Sequence, residues 1–171
     1  MRLAMRRALA FLPLLLVLAA CSQPKPLAPE LVELLERINQ VRAAGVTCHK
    51  DGADNDMPPV GPLRANTQLN WAAQRHAEDM DAADQLSHTT PVGAVHFGPG
   101  TDPGERIAQS GYLAAAWGEN IAWGYTTAEE VLNGWLASTA GHCEGLMNGN
   151  YQDAGLGRSG NYWVLDMARP Q

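Results

Sequence analysis

A carboxylate and an imidazole set into apolar sequence limit what this chain can become. The carboxylate lies in Gly118-Glu119-Asn120-Ile121-Ala122 and the imidazole in Gly141-His142-Cys143, with Trp135 between them. Both segments fall in the least charged, most aromatic third of the chain. Four of the five tryptophans (Trp117, Trp123, Trp135 and Trp163) lie there as well. A polar group placed among apolar neighbours costs free energy unless it is paired or used. Any fold must therefore bring partners to Glu119 and His142, and the place where it does so is the first candidate for a site.

The N-terminal residues read as a processing signal and not as part of the fold. Arg2, Arg6 and Arg7 form a positive region, and Ala8 to Ala20 is an apolar run of 13 residues. That is short of the ~20 residues of a membrane-spanning helix and fits the core of a secretory signal peptide, residues 1–20. The run ends Leu18-Ala19-Ala20-Cys21, which resembles the lipobox of bacterial lipoproteins. That resemblance implies cleavage before Cys21 and lipid, of the palmitate type, on its thiol and new amino group. More than one acyl chain gives stable anchoring. The alternative is an ordinary signal peptide with a cysteine near the cut. Residues 21–28, with Ser22-Gln23-Pro24-Lys25-Pro26, read as the lipidated cysteine and a Pro-rich tether. Ser22 rather than Asp after the cysteine implies, by the same resemblance, an outer-membrane destination facing the periplasm.

Ser22 to Gln171 leaves 150 residues, enough for one domain with its own core. The whole chain has 12 basic and 18 acidic residues; without the three N-terminal arginines 9 remain against 18, a balance near −9. No basic patch is present, which excludes nucleic acid as a partner class, and a monomer is expected. Beyond Cys21 only Cys48 and Cys143 remain. In an exported protein such a pair favours a disulfide. The alternative, Cys143 as a thiol nucleophile beside His142, is weaker, because adjacent residues usually point apart.

Periodicity predicts a helix over Pro29–Ala44, ended by Gly45, with Leu31, Leu34, Leu35, Ile38 and Val41 inward. Thr47 to Arg64 reads as a loop. A second helix, capped by Asn66 or Thr67, turns Leu69, Ala72, Ala73, His76 and Met80 inward and Glu78, Asp79 and Asp81 to water. Pro91 to Asp102 reads as a loop, Asp102-Pro103 starts a short helix that stops at Gly111, and Thr127 with Glu130 forms a capping box for a helix through Trp135. Ala154–Arg158 and Tyr162–Met167 read as strands around a tight turn, and Gly118–Ala122 as a third. Helices followed by short strands predict an α+β or α-β-α architecture.

The order of these segments resembles the CAP superfamily: cysteine-rich secretory proteins, insect antigen 5 and plant pathogenesis-related proteins, and within it the bacterial SCP-like extracellular branch. The matching elements are Ile38-Asn39-Gln40-Val41-Arg42, Leu69 with Ala72-Ala73, His76-Ala77-Glu78-Asp79-Met80, Ser87-His88, Arg106 with Gly111-Tyr112, Gly118 to Ala122, Val131 with Trp135, Gly141-His142 and Tyr162-Trp163. The resemblance implies a CAP domain over residues 29–171, folded as an α-β-α sandwich with helices on a small antiparallel sheet. It implies a cleft holding His88, Glu119 and His142, the candidate catalytic and ligand-binding residues. Many members have a second Glu where this chain has Ser138. It also implies that Cys143 pairs with a cysteine after the first helix, where Cys48 lies.

Two imidazoles and a carboxylate can hold a metal such as Zn²⁺, with His88 and His142 as ligands. They can serve as general acid and base, or brace the sheet against the helices. His76 reads as a hydrogen-bonded core histidine and His49 and His96 as solvent-exposed; Trp117 and Trp123 flank the Gly-Glu-Asn segment and read as core, the alternative being the lining of a groove. Three functions follow. One is a cell-envelope lipoprotein that binds a lipid, peptide or wall ligand in the cleft. Another is a protease-like hydrolase; no Gly-x-Ser-x-Gly or His-Glu-x-x-His motif supports it. The third is a structural protein with a vestigial cleft.

Overall fold

The order of elements is set by where apolar period 3.6 gives way to period 2. The computed structural model describes residues 26–171. The expected signal peptide and lipidated Cys21 lie outside the described residues. Six elements precede the long strand that carries Glu119: α1 (Pro29–Ala44), β1 (Val46–Lys50), β2 (Ala53–Met57), β3 (Arg64–Ala65), α2 (Thr67–Ala83) and α3 (Pro103–Gln109). That strand is β4 (Ala114–Trp123), followed by α4 (Ala128–Leu136), α5 (His142–Leu146), β5 (Asp153–Ser159) and β6 (Tyr162–Pro170). Cap chemistry fixes the helix starts as the sequence predicts. Asn66 accepts from the Gln68 and Leu69 amides, and Asp102/Glu105 and Thr127/Glu130 form reciprocal capping boxes.

Four strands form one sheet in the order β3-β5-β6-β4; β3 runs parallel to β5 and the other pairs are antiparallel. Strand alternation divides the side chains between two layers. Ala122, Trp163, Leu165 and Met167 pack with Leu34 and Ile38 of α1 and with Val131 and Trp135 of α4. Ile121, Tyr162 and Val164 pack on the other side against Ala73, Ala77 and Met80 of α2. This is the expected α-β-α sandwich. Helix α2 lies so close to β5 that a Cβ at Gly155 or Gly157 would sit 2.1 Å from the Leu69 carbonyl carbon or 2.4 Å from that of Ala73. Only glycine allows that approach.

Two side chains outside the hydrophobic pattern tie α1 to the rest. Arg42, fully buried, donates to the carbonyls of Gly61, Leu146, Asn148 and Tyr151. Asn39 exchanges two hydrogen bonds with the Leu63 backbone. Cys48 and Cys143 form the disulfide, with Cα atoms 5.6 Å apart across a separation of 95 residues. A loop of that size is worth about 4–5 kcal/mol in the chain-entropy model.

The structure corrects three local expectations. Residues 47–64 are not all loop: β1 and β2 form a hairpin around Asp51-Gly52, both at positive φ. The Asp-Gly signal was present. The strands went unread because only Cys48 is buried on them, so no apolar alternation marks them. Asp79 does not face water. It is fully buried and accepts from the amides of Val95, His96 and Phe97 at 2.7, 2.6 and 3.0 Å, pinning the 91–101 loop to α2. Trp117 and Trp123 are exposed and not core: both stand on edge strand β4, where Trp117 lies against Gly104 of α3 and Trp123 ends the strand beside Tyr162. His96 is exposed as expected, and its ring is held between Arg75 and Glu78.

Trp135 is buried in the α1/α4 layer and its indole N–H donates to the Ile121 carbonyl at 3.0 Å. Trp135→Ala should cost about 3–5 kcal/mol in urea unfolding. A variant of parental stability would contradict its role as the anchor of that layer.

Candidate functional site

Adjacent residues of β4 point to opposite faces of the sheet, and β4 is an edge strand, so Glu119 and Asn120 reach around the same edge from two sides. Each holds a histidine segment. The Glu119 side chain, 1% exposed, accepts from His88 Nδ1 at 2.8 Å with one oxygen and from Arg106 Nη2 at 2.7 Å with the other. Asn120 Nδ2 donates to the His142 carbonyl at 3.0 Å. His88 keeps about half of its side chain in solvent.

Arg106 comes from α3 and is fully buried. Besides Glu119 it donates to the carbonyls of His88 and Thr101 at 2.9 and 2.8 Å and to Thr90 Oγ1 at 3.3 Å. One guanidinium therefore fixes both the carboxylate and the backbone of the histidine that the carboxylate holds. His142 begins α5 directly after Gly141, whose φ of 90° sets the entry to that helix. Its Nδ1 pairs with Ser138 Oγ at 2.7 Å. The serine that stands in place of a second acid thus orients an imidazole without adding charge. Burial lowers the pKa of His142, and the charge of His88 lowers it further, so the two imidazoles are electrostatically coupled across the edge.

Beneath this surface lie two ionisable groups without countercharges of their own. Asp166 stands opposite Glu119 in the β4/β6 register, is 1% exposed, and has one carboxyl oxygen without a partner. Burial, then the Glu119 charge, push its pKa well above its ordinary value. His76 of α2 is fully buried; its Nε2 is 2.8 Å from the Ser87 carbonyl and its Nδ1 has no partner. It is a core histidine, as its place on the apolar face predicts.

The structure thus pairs His88 with Glu119 and sets His142 at the same edge, held through Asn120 and Ser138. Arg106 was legible as part of a pattern but not as the partner of Glu119. Asp166 was missed, although an acid inside the run Tyr162-Trp163-Val164-Leu165-Asp166-Met167 is the same signal that singled out Glu119. Cys143 is in a disulfide, so it offers no thiol nucleophile. The donor set does not fit the Zn²⁺ considered for His88 and His142. Both Glu119 oxygens are engaged, the fixed charge of Arg106 lies beside them, and two imidazoles fall short of the three or four protein ligands of a zinc site. Among the described residues no group of three His, Cys, Asp or Glu side chains is arranged to hold a metal.

Burial is the main cause that lowers the pKa of His76. The folded state then prefers the neutral ring, and the unfolded chain binds more protons below its ordinary value of about 6.5. Stability should therefore fall as pH drops through ~6.5 towards the lowered folded value. His76→Gln should show a shallower loss of unfolding midpoint between about pH 7 and pH 5. Identical pH profiles for parent and variant would count against the neutral buried ring.

Comparison with known proteins agrees with this architecture. Residues 35–166 match the CAP family, described as the cysteine-rich secretory protein family. The protein YkwD of Bacillus subtilis (strain 168) is 29% identical over 114 residues, 66% of this chain and 41% of the relative, so the match spans less than half of that relative's length. An extracellular protein containing an SCP domain from Bacillus anthracis superposes with a TM-score of 0.67 at 21% identity, covering 85% of this chain and 45% of that one. An outer surface protein of Borrelia burgdorferi gives 0.65 at 20%, covering 83% and 93%. At such identities the structures speak for the fold. The family match, which runs from α1 into β6 and takes in His88, Glu119 and His142, speaks for descent: the chain belongs to the cysteine-rich secretory protein (CAP) family.

Proposed function

We infer that this CAP domain is a cell-envelope binding protein that takes a polar group of a lipid, peptide or wall ligand between His88 and His142. The observation that carries this reading is the state of Glu119. A carboxylate serving as general base or nucleophile needs a free oxygen aimed at substrate. Here Arg106 and His88 occupy both oxygens, and the residue is buried. What faces solvent is the imidazole edge of His88, held at Nδ1 by the carboxylate; at the same sheet edge His142 is held at Nδ1 by Ser138. Two oriented rings suit recognition; with Ser138 uncharged, the second acid of a carboxylate pair is absent. The hydrolase reading would use the same His88–Glu119 pair.

Expected outcome: the purified protein retains a ligand from lipid and peptide screens, His88→Ala and His142→Ala each weaken it by about tenfold or more, and no substrate is turned over. Turnover lost in both variants, without a retained ligand, would favour the hydrolase. No ligand and no turnover would leave the structural role.

Anchoring belongs to the same proposal. Two structures that superpose on this chain are those of an extracellular protein and an outer surface protein. No described helix is long and apolar enough to cross a membrane. A lipidated Cys21, facing the periplasm from the outer membrane, supplies the attachment that the lipobox-like sequence Leu18-Ala19-Ala20-Cys21 predicts. Intact mass of the native protein should show a start at Cys21 with more than one acyl chain. An unacylated mature N-terminus would refute it.

A further inference from the structure

A tryptophan on the outward face of α2 is not explained by the cleft or the core. Trp71 is 40% exposed and stands between two hollows, of about 470 and 260 Å³, that share it and Thr67. The larger falls within the size range of ligand pockets. It is walled by α2, by the start of α1 and by β5, two strands away from β4, and none of its lining residues belongs to the His88/His142 cleft.

The indole is fixed and not loosely exposed. Phe97 meets it edge-on at 5.7 Å and 80° between ring planes, and the Arg75 guanidinium lies over it at 4.5 Å. The polar wall is equally fixed. Arginine can only donate, so Arg75 Nη1, 2.8 Å from His96 Nδ1, makes that nitrogen the acceptor. His96 Nε2 then donates to Glu78 Oε2 at 2.6 Å, and the other Glu78 oxygen accepts from Gln74. Across the hollow Arg158 faces Glu30 at 3.9 Å.

Charge decides the class of occupant. Arg75 and Arg158 are balanced by Glu30 and Glu78, so the hollow has no field for a phosphate or a polycation. Of its aliphatic lining, Leu31 and Leu156 are buried in the α1/α4 core, and Pro26, Leu27 and Ala28, just before α1, complete the apolar part. Hydroxyl and amide groups both donate and accept, as this wall does. The part of the indole that Arg75 does not cover offers an apolar surface for the C–H face of a pyranose ring. Two hollows that meet at one indole suit several linked units rather than one.

We propose that the Trp71 groove is an oligosaccharide-binding site for neutral or N-acetylated sugars, separate from the histidine cleft. The probe is an N-acetylglucosamine oligomer of three or four units, titrated into the purified protein and followed by calorimetry and by amide shifts in NMR. Saturable binding with shifts centred on α2 and β5 is expected. Trp71→Ala should weaken it by up to about tenfold, the scale of one aromatic stack. Trp71→Tyr should restore part of the loss, and Trp123→Ala, at an exposed tryptophan elsewhere, should change nothing. Trp71→Ala also loses the contacts with Phe97 and Arg75, so a small drop in melting temperature is expected, and binding is measured well below the midpoint of each variant. No saturable binding overturns the proposal, as does binding unchanged in Trp71→Ala, or binding that survives there but is lost in His88→Ala, which would place the sugar in the cleft. Attachment to zwitterionic phospholipid vesicles through Trp71 without sugar binding would also overturn it, in favour of a membrane-facing surface.

Discussion

The carboxylate of Glu119 is the constraint around which this fold is arranged. An isolated ionised carboxylate removed from water would cost many kcal/mol, and Glu119 is almost wholly removed. Arg106 answers it from α3 and at the same time holds the backbone of the 88–101 segment through the His88 and Thr101 carbonyls. Removing either partner would leave the other charge buried and alone, which is far more costly than the net worth of the pair. The pairing therefore specifies where α3 docks and how the chain after α2 returns to the edge of the sheet. The neighbouring Asp166 has no such partner, and burial together with the Glu119 charge raises its pKa.

The same interaction shapes what the surface can do. A carboxylate committed to an arginine is a poor general base but a good orienting group for an imidazole. His88 inherits a fixed Nδ1 contact and a solvent-facing edge, while His142 inherits its orientation from Ser138 and its position from Asn120. Because consecutive residues of an edge strand serve the two rings, the site spans both layers of the sandwich. Little movement is then available to it without disturbing the sheet.

Some of this could be read before folding. Helix starts at Asn66, Asp102 and Thr127 were visible because capping is local chemistry. Strands β5 and β6 were visible because their apolar content changes period at Gly160-Asn161. The β1/β2 hairpin was not, since its side chains other than Cys48 are mostly exposed and carry no alternation. Asp79 was assigned to water for a related reason: helical periodicity knows the direction of a side chain, but not that a loop will fold over it and present three amides.

The sequence by itself determined the family, helices α1 to α4, the two terminal strands and the candidacy of His88, Glu119 and His142, because each rests on short-range pattern or on a segment order that many chains share; the short α5 was not among them. Only the tertiary structure decided how those three are held. Arg106 lies 13 residues from Glu119, Asp166 lies 47 residues beyond it, and the pairing of either with Glu119 is created by the packing of α3 and by the β4/β6 register. The same holds for Trp71, which reads as one more residue on a helix until Phe97, Arg75 and β5 close a groove around it. Burial and pairing are properties of surfaces brought together, and no local pattern in the chain encodes which surface will arrive.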